Sequence, residues 1–174
     1  MTDERPGWGA ESSLTVAWND PIPALAHLRE KSGLDYLRGI VSGEVPPPPV
    51  AMLLGMTISS VESGEVVFTL TPHPSHYNPL GVVHGGMLCT VLDTVAACAG
   101  HSTLEPGWGY TSIDLNVSYL RGVTLDSGVV TFTGHVVKGG RRVIFTSAEG
   151  VDAAGNLVAT ATSSLLVMPP TAAA

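Results

Sequence analysis

Gly85-Gly86-Met87-Leu88-Cys89-Thr90-Val91-Leu92-Asp93-Thr94-Val95-Ala96-Ala97-Cys98-Ala99-Gly100 is the stretch that decides the fold. It is long enough for a helix and closes on Gly100, as a helix stopped by a C-terminal glycine does. Apolar residues lie almost all the way round its helical projection, and a helix of that kind must be buried. What surrounds it reads as strand. Residues 53–61 and 65–71 are rich in Val, Ile, Thr and Phe about a Glu62-Ser63-Gly64 turn, which predicts a hairpin. Residues 109–120, 128–137, 142–151 and 157–167 read as four more strands, with turns at Gly122, Asp126-Ser127-Gly128, Gly139-Gly140 and Ala154-Gly155-Asn156. Hairpins in such regular succession make an antiparallel sheet. The predicted class is α+β: a long antiparallel β-sheet wrapped around one central α-helix, with a hairpin before the helix and four strands after it.

The amino-terminal part has a different texture. Residues 1–23 carry Pro6, Gly7, Gly9, Pro21 and Pro23 with little periodicity and read as a loose arm. From Ala24 to Val41, Leu25, Leu28, Leu34, Leu37, Ile40 and Val41 recur at helical spacing. Ser32 with Asp35 reads as an internal cap, so one helix or two short ones fit equally. Pro46 to Pro49 is a stiff spacer. The division expected is an arm over residues 1–49 and the sheet-and-helix domain over 50–170.

Composition narrows the function. The chain has 174 residues, 44% hydrophobic and 13% charged, enough for one domain with a sizeable core. Eight Lys and Arg against fifteen Asp and Glu give a formal net charge of −7, which argues against a nucleic-acid binder. No run of about 18 apolar residues is present, so no membrane-spanning helix is expected. Met1-Thr2-Asp3-Glu4-Arg5 lacks the basic and apolar blocks of a secretory signal, and a cytoplasmic location is expected. Cys89 and Cys98, nine residues apart on one helix, sit roughly 13 Å from each other, too far for a bridge. Neither they nor His27, His73, His76, His101 and His135 show metal-ligand spacing, and no metal is expected.

The chemistry concentrates on Asp93 and the run Asn78-Pro79-Leu80-Gly81-Val82-Val83-His84-Gly85-Gly86. Asp93 is the one charged residue between Gly85 and Gly100, and a buried carboxylate must be solvated, paired or used. A structural role, bonding a backbone group, is the plain alternative. The Gly-rich loop feeds a helix N-terminus whose unpaired N–H groups suit a carbonyl oxygen gaining negative charge. Together the two features suggest acyl transfer. Gly85 and Asp93 lie roughly 12 Å apart along the helix, beyond the reach of one carbonyl group. Two antiparallel copies of the helix bring the N-terminus of one near the acid of the other, which predicts a homodimer with two composite sites.

The pattern Asn78-x-x-Gly81-x-x-His84-Gly85-Gly86, followed by Asp93 on an apolar helix, resembles the hotdog-fold acyl-CoA thioesterases of the phenylacetic-acid-degradation (PaaI-like) type. The resemblance covers about residues 50 to 168 and extends to Tyr119-Leu120-Arg121, Gly139-Gly140-Arg141-Arg142 and Val158-Ala159-Thr160-Ala161-Thr162. It implies a hotdog fold and hydrolysis of acyl-CoA to free acid and CoA, with no cofactor beyond the coenzyme A of the substrate. It also implies that the Gly85 N–H and the Asn78 side chain polarise the thioester carbonyl, with Gly86 beside them. Asp93, from the partner subunit, activates water or attacks directly. A Ser or Thr early in the next strand holds that water, and Ser112 matches best. Strict alternation, however, sets Ser112 on the face opposite Ile113, Leu115 and Val117, which favours Thr111 unless the strand bends. His84 is a candidate hydrogen-bond donor to the leaving thiolate, or a backbone-bonding loop residue. Assembly as a homodimer at least, with pairing into a homotetramer, is expected.

Coenzyme A carries phosphates, and four of the eight basic residues, Arg121, Lys138, Arg141 and Arg142, fall between 121 and 142. They are candidate phosphate ligands; the plain reading is solvated turn charges. Pro46–Pro49, Ala51–Gly55, Tyr77 and Trp108 are candidates for the wall of the acyl tunnel. A hydratase or dehydratase on the same fold is the alternative enzyme, needing His84 to meet Asp93 across the interface between two copies. A non-catalytic acyl-CoA-binding protein is the third reading.

Overall fold

The computed structural model describes Gly7 and residues 9–170. Its elements run α1 (Leu25–Glu30), α2 (Gly33–Ser42), α3 (Pro49–Leu54), β1 (Met56–Glu62), β2 (Glu65–Leu70), α4 (Gly85–His101), β3 (Gly109–Tyr119), β4 (Val130–Lys138), β5 (Val143–Val151) and β6 (Leu157–Met168). The six strands form one antiparallel sheet in the order β1-β2-β4-β5-β6-β3. The sheet curls around α4, as the sequence predicts.

Alternation explains which face meets the helix. Val66, Phe68 and Leu70 of β2, Val130 and Phe132 of β4, and Ala159 and Ala161 of β6 are buried and point inward. They close on Leu88, Val91, Leu92, Val95, Ala96 and Ala99 of α4, all buried. Burying each large aliphatic side chain favours folding by roughly 1.5–3 kcal/mol, so this shared core holds the helix in place. Glycine sets the distance: a Cβ on Gly134 of β4 would overlap the carbonyl oxygen of Val95.

Two boundaries differ from the sequence reading. Gly100 does not end α4, which runs on to His101 with Ser102 as its C-cap. Gly100 is instead a packing position, since a Cβ there would overlap Cδ1 of buried Leu165. Residues 53 and 54, read as strand, close α3, because Pro49 starts a short helix that Gly55 stops at φ 66°. Between 24 and 41 the two-helix alternative holds. The Ser32 side chain accepts from the Asp35 N–H and begins α2, and Lys31 ends α1. Among the described residues no helix is long and apolar enough to cross a membrane.

Candidate active site

The site is built on the open side of α4. The sheet buries one side of this helix; Gly86 stays exposed, and Cys89, Thr90, Asp93 and Thr94 are half-buried along one stripe. The helix that the sequence predicts to be buried all round is therefore covered on one side only within a single chain. Thr90 and Thr94 turn their hydroxyls back to the carbonyls of Gly86 and Thr90. Asp93 reaches across to β3: its Oδ1 accepts from the Ser112 hydroxyl at 3.1 Å.

That contact depends on a bulge in β3. Ser112 pairs with Leu165 and Asp114 with Ser164, leaving Ile113 as the extra residue. A bulge reverses the alternation. Before it Tyr110 and Ser112 share the helix side; after it Leu115 and Val117 do, packed against the core. Ile113 is turned out, 57% exposed. Thr111, the candidate under strict alternation, is exposed and lies one residue from Ser112, so the bulge removes the reason for preferring it.

The loop before α4 is folded on itself. Tyr77 and Val83 form a bridge, the Asn78 N–H donates to Val82 O at 2.8 Å, and the His84 N–H donates to His76 O at 2.8 Å. The Asn78 Oδ1 accepts from the N–H groups of Leu80 (2.9 Å) and Val82 (3.4 Å), which leaves its amide nitrogen as the free donor. His84 is the N-cap of α4, its Nδ1 accepting from the Gly86 N–H at 2.9 Å. The Gly86 N–H is thus already used, and the Gly85 N–H has no acceptor among the described residues. His84 caps α4 and Asp93 lies more than two turns further along it, so the two can meet only between copies, as the hydratase alternative requires.

Tyr119 is a neighbour the sequence reading gave no role. Its hydroxyl donates to Gly85 O at 2.9 Å, and its ring lies where a Cβ on Gly85 would stand 3.1 Å from Cζ. The first helical residue is therefore tied down by its carbonyl while its N–H stays open. A tyrosine closing a strand at the level of a Gly-Gly helix entry was the available signal.

The basic residues do not form one cluster. Arg121 follows the end of β3, its N–H donating to Val158 O. Lys138, Arg141 and Arg142 sit in the β4–β5 hairpin, whose next residue, Val143, pairs with Leu166, itself paired with Thr111 at the start of β3. The eleven residues of β3 separate the two groups by roughly 30 Å. Closeness in sequence failed here because a strand intervenes.

A cavity of about 770 Å³ begins one residue from Asp93. Thr94, Cys98 and His101 of α4 form one wall, and Leu37, Ala51 and Met52 of the N-terminal helices, with Pro47 and Pro48 from the spacer between α2 and α3, form the roof. Trp108 lines it as well; Tyr77 does not, its hydroxyl being occupied with the Leu125 N–H at 2.8 Å. Burial, with the Asp93 charge adding, pushes the Cys98 thiol up to about 12, so it is a protonated wall residue and no nucleophile. Among the described residues no group of His, Cys, Asp and Glu is placed to hold a metal.

Known proteins resemble this chain in sequence and in fold. Residues 80–159 match the model of the Thioesterase superfamily. Human acyl-coenzyme A thioesterase 13 is 30% identical over 125 residues, covering 71% of this chain and 88% of its own. The phenylacetic acid degradation-related protein of Ralstonia eutropha JMP134 superposes with a TM-score of 0.69 at 34% identity, over 75% of this chain and 98% of that one. The PaaI protein of E. coli, 24% identical, shares the fold with a TM-score of 0.69 over 82% and 99% of the two chains.

Proposed function

Because the chain belongs to the thioesterase superfamily and is a thioester hydrolase, we propose that its substrates are acyl-coenzyme A thioesters, cleaved at a site shared by two copies. The observation that carries this reading is the Asp93–Ser112 pair standing on the open stripe of an otherwise buried helix. In this mechanism the Asp93 carboxylate removes a proton from water as the water attacks the carbonyl carbon. The Ser112 hydroxyl, bonded to Oδ1, orients the acid and that water. Charge developing on the carbonyl oxygen is received by the open Gly85 N–H and the Asn78 amide of a second copy. Collapse of the tetrahedral intermediate expels the CoA thiolate, near the exposed ring of the same loop's His84.

The fold supports the second copy in a specific way. β3 is an edge of the sheet, eleven residues long, with a free row of backbone groups. Such an edge is a template for pairing. Two β3 strands paired antiparallel about a twofold axis set the Tyr119 end of one beside the Ser112 end of the other. That arrangement carries the Gly85 N–H toward Asp93 of the neighbouring copy. It also carries Arg121 toward the neighbour's 138–142 hairpin, so the basic groups divided within one chain converge across two, at a place for the phosphates of coenzyme A.

Mixing two inactive variants tests the shared site. Gly85→Pro deletes one N–H at the first helical position, where proline is favoured; the exposed Tyr119 ring gives way to the added atoms, and His84 already has the extended ψ of 132° that a following proline requires. Asp93→Asn removes the base. Each homodimer is expected to be inactive. Unfolded and refolded together, half the dimers are mixed and hold one intact site, restoring about a quarter of wild-type turnover. No recovery in a mixture shown to contain mixed dimers refutes the composite site.

A further inference from the structure

Most of the cavity wall is apolar, yet one region of it carries three polar rings. His101, the last residue of α4, is only 6% exposed. Its ring lies between Tyr36 of α2 and Tyr110 of β3, with centroids 5.6 Å and 5.2 Å away, and all three rings line the cavity. Among the described residues nothing hydrogen-bonds the two ring nitrogens of His101 or the hydroxyls of Tyr36 and Tyr110, and none of these atoms is sealed away from the cavity. The ring is also clamped from behind. A Cβ on Gly33 would overlap the His101 carbonyl and stand 2.8 Å from ring carbon Cδ2, and the Gly33 N–H donates to Leu104 O at 2.9 Å. A ring held fixed, with its hydrogen-bonding atoms opening into a cavity whose other walls are largely apolar, is placed to recognise a polar group on a guest.

We infer that His101, flanked by Tyr36 and Tyr110, is a specificity residue that hydrogen-bonds a hydroxyl or carbonyl group on the distal part of the acyl chain. This rests on the thioester-hydrolase reading of Asp93. Burial lowers His101 to about 4, so near neutral pH the ring is uncharged, with one donor and one acceptor, and suits an uncharged partner. Arg29 of α1 is the only charged side chain among the described lining residues, and a carboxylate tail would seek it instead.

Length follows from two rails. On α4, His101 stands eight residues beyond Asp93, roughly 12 Å along the axis. On β3, Tyr110 stands two residues before Ser112 on the same side, roughly 7 Å away. An extended chain advances about 1.2 Å per bond, so the polar group lies some six to ten bonds from the reacting carbon. The cavity of about 770 Å³ has ample room for such a chain.

The test uses the full chain and matched substrates. Octanoyl- and decanoyl-CoA, their ω-hydroxy analogues and their ω-carboxy analogues are compared by kcat/KM. The expected result is a preference of about tenfold or more for the ω-hydroxy form over the plain one at one of the two lengths. His101→Phe abolishes that preference, His101→Gln restores part of it, and Tyr110→Phe, which keeps the ring, weakens it should the His101 variants fail to fold. Wild-type enzyme that handles plain chains as well as hydroxylated ones, or that selects the ω-carboxy form, overturns the inference. Calorimetric titration of the corresponding free acids separates it from the reading beneath it. With no thioester cleaved, the hydrolase reading falls, while tighter binding of the ω-hydroxy acids still upholds the pocket assignment and equal binding removes it.

Discussion

Replacing Asp93 by Asn and Ser112 by Ala, singly and together, probes the proposed mechanism at its centre. Asn keeps the shape of the side chain and an oxygen able to accept from Ser112, on a half-exposed position, so the fold is expected to survive. What disappears is the base, and loss of general-base assistance costs on the order of 10²–10⁴ in rate. Ser112→Ala removes one hydrogen bond to a charged group, for which about 1.5–3 kcal/mol is usual. The bond here is 3.1 Å long and its acceptor is half-exposed, which puts the loss near the lower end, about tenfold in kcat. Because Ser112 acts by orienting the acid, its contribution has no object once the acid is gone, and the double variant is expected to match Asp93→Asn alone. The assay is release of free thiol from an acyl-CoA at saturation, with sedimentation and circular dichroism confirming assembly and fold. Asp93→Asn retaining more than about a tenth of wild-type turnover refutes the role of the base. A double variant whose losses multiply refutes the coupling.

Three further outcomes follow from the packing and the titrating groups. Gly100→Ala drives a methyl group into fully buried Leu165 and is expected to lower unfolding free energy by about 1–3 kcal/mol in urea titration, whereas a helix-ending glycine would give no such steric loss. Cys98, with its thiol raised to about 12 by burial, is expected to resist iodoacetamide at pH 8 in the native protein and to react once urea unfolds it, as read by mass spectrometry. His101 is neutral when folded down to about pH 4 but ordinarily protonates near 6.5 when unfolded. Between those values the unfolded chain binds the extra proton, so this group's contribution is complete above 6.5 and fades as pH falls to about 4. The loss amounts to about 3 kcal/mol. A folded His101→Phe variant is expected to show a shallower decline of stability across that interval.

The parts legible in the sequence were those governed by local pattern. Alternation in 65–71 and 157–167 and the unbroken apolar face of 85–100 led directly to the sheet, the central helix and their order. Ser32 with Asp35 marked the break between α1 and α2. The bulge at Ile113 was not legible, because nothing in Thr111-Ser112-Ile113-Asp114 distinguishes an extra residue from a regular one; only pairing with Leu165 and Ser164 reveals it. Gly100 misled for a similar reason, since a glycine that ends a helix and one that admits a neighbouring leucine are the same letter. Arg121 and the 138–142 hairpin looked like one charged cluster, and the length of β3 drew them apart. Pro47, Pro48, Ala51 and Met52 of the cavity roof were legible as tunnel wall, but the share of α1 and α2 was not, since those helices meet α4 only through contacts distant in sequence, such as Gly33 against His101.

That roof comes from residues 25–54 and the acid from residue 93, which makes the chamber and the reaction separately inherited properties. Changes in α1 to α3 can widen, shorten or repolarise the space for the guest without moving the carboxylate, its serine or the helix entry. Descendants of one ancestor therefore have a short route to new substrates: rewrite residues 25–54 and leave the cutting edge alone.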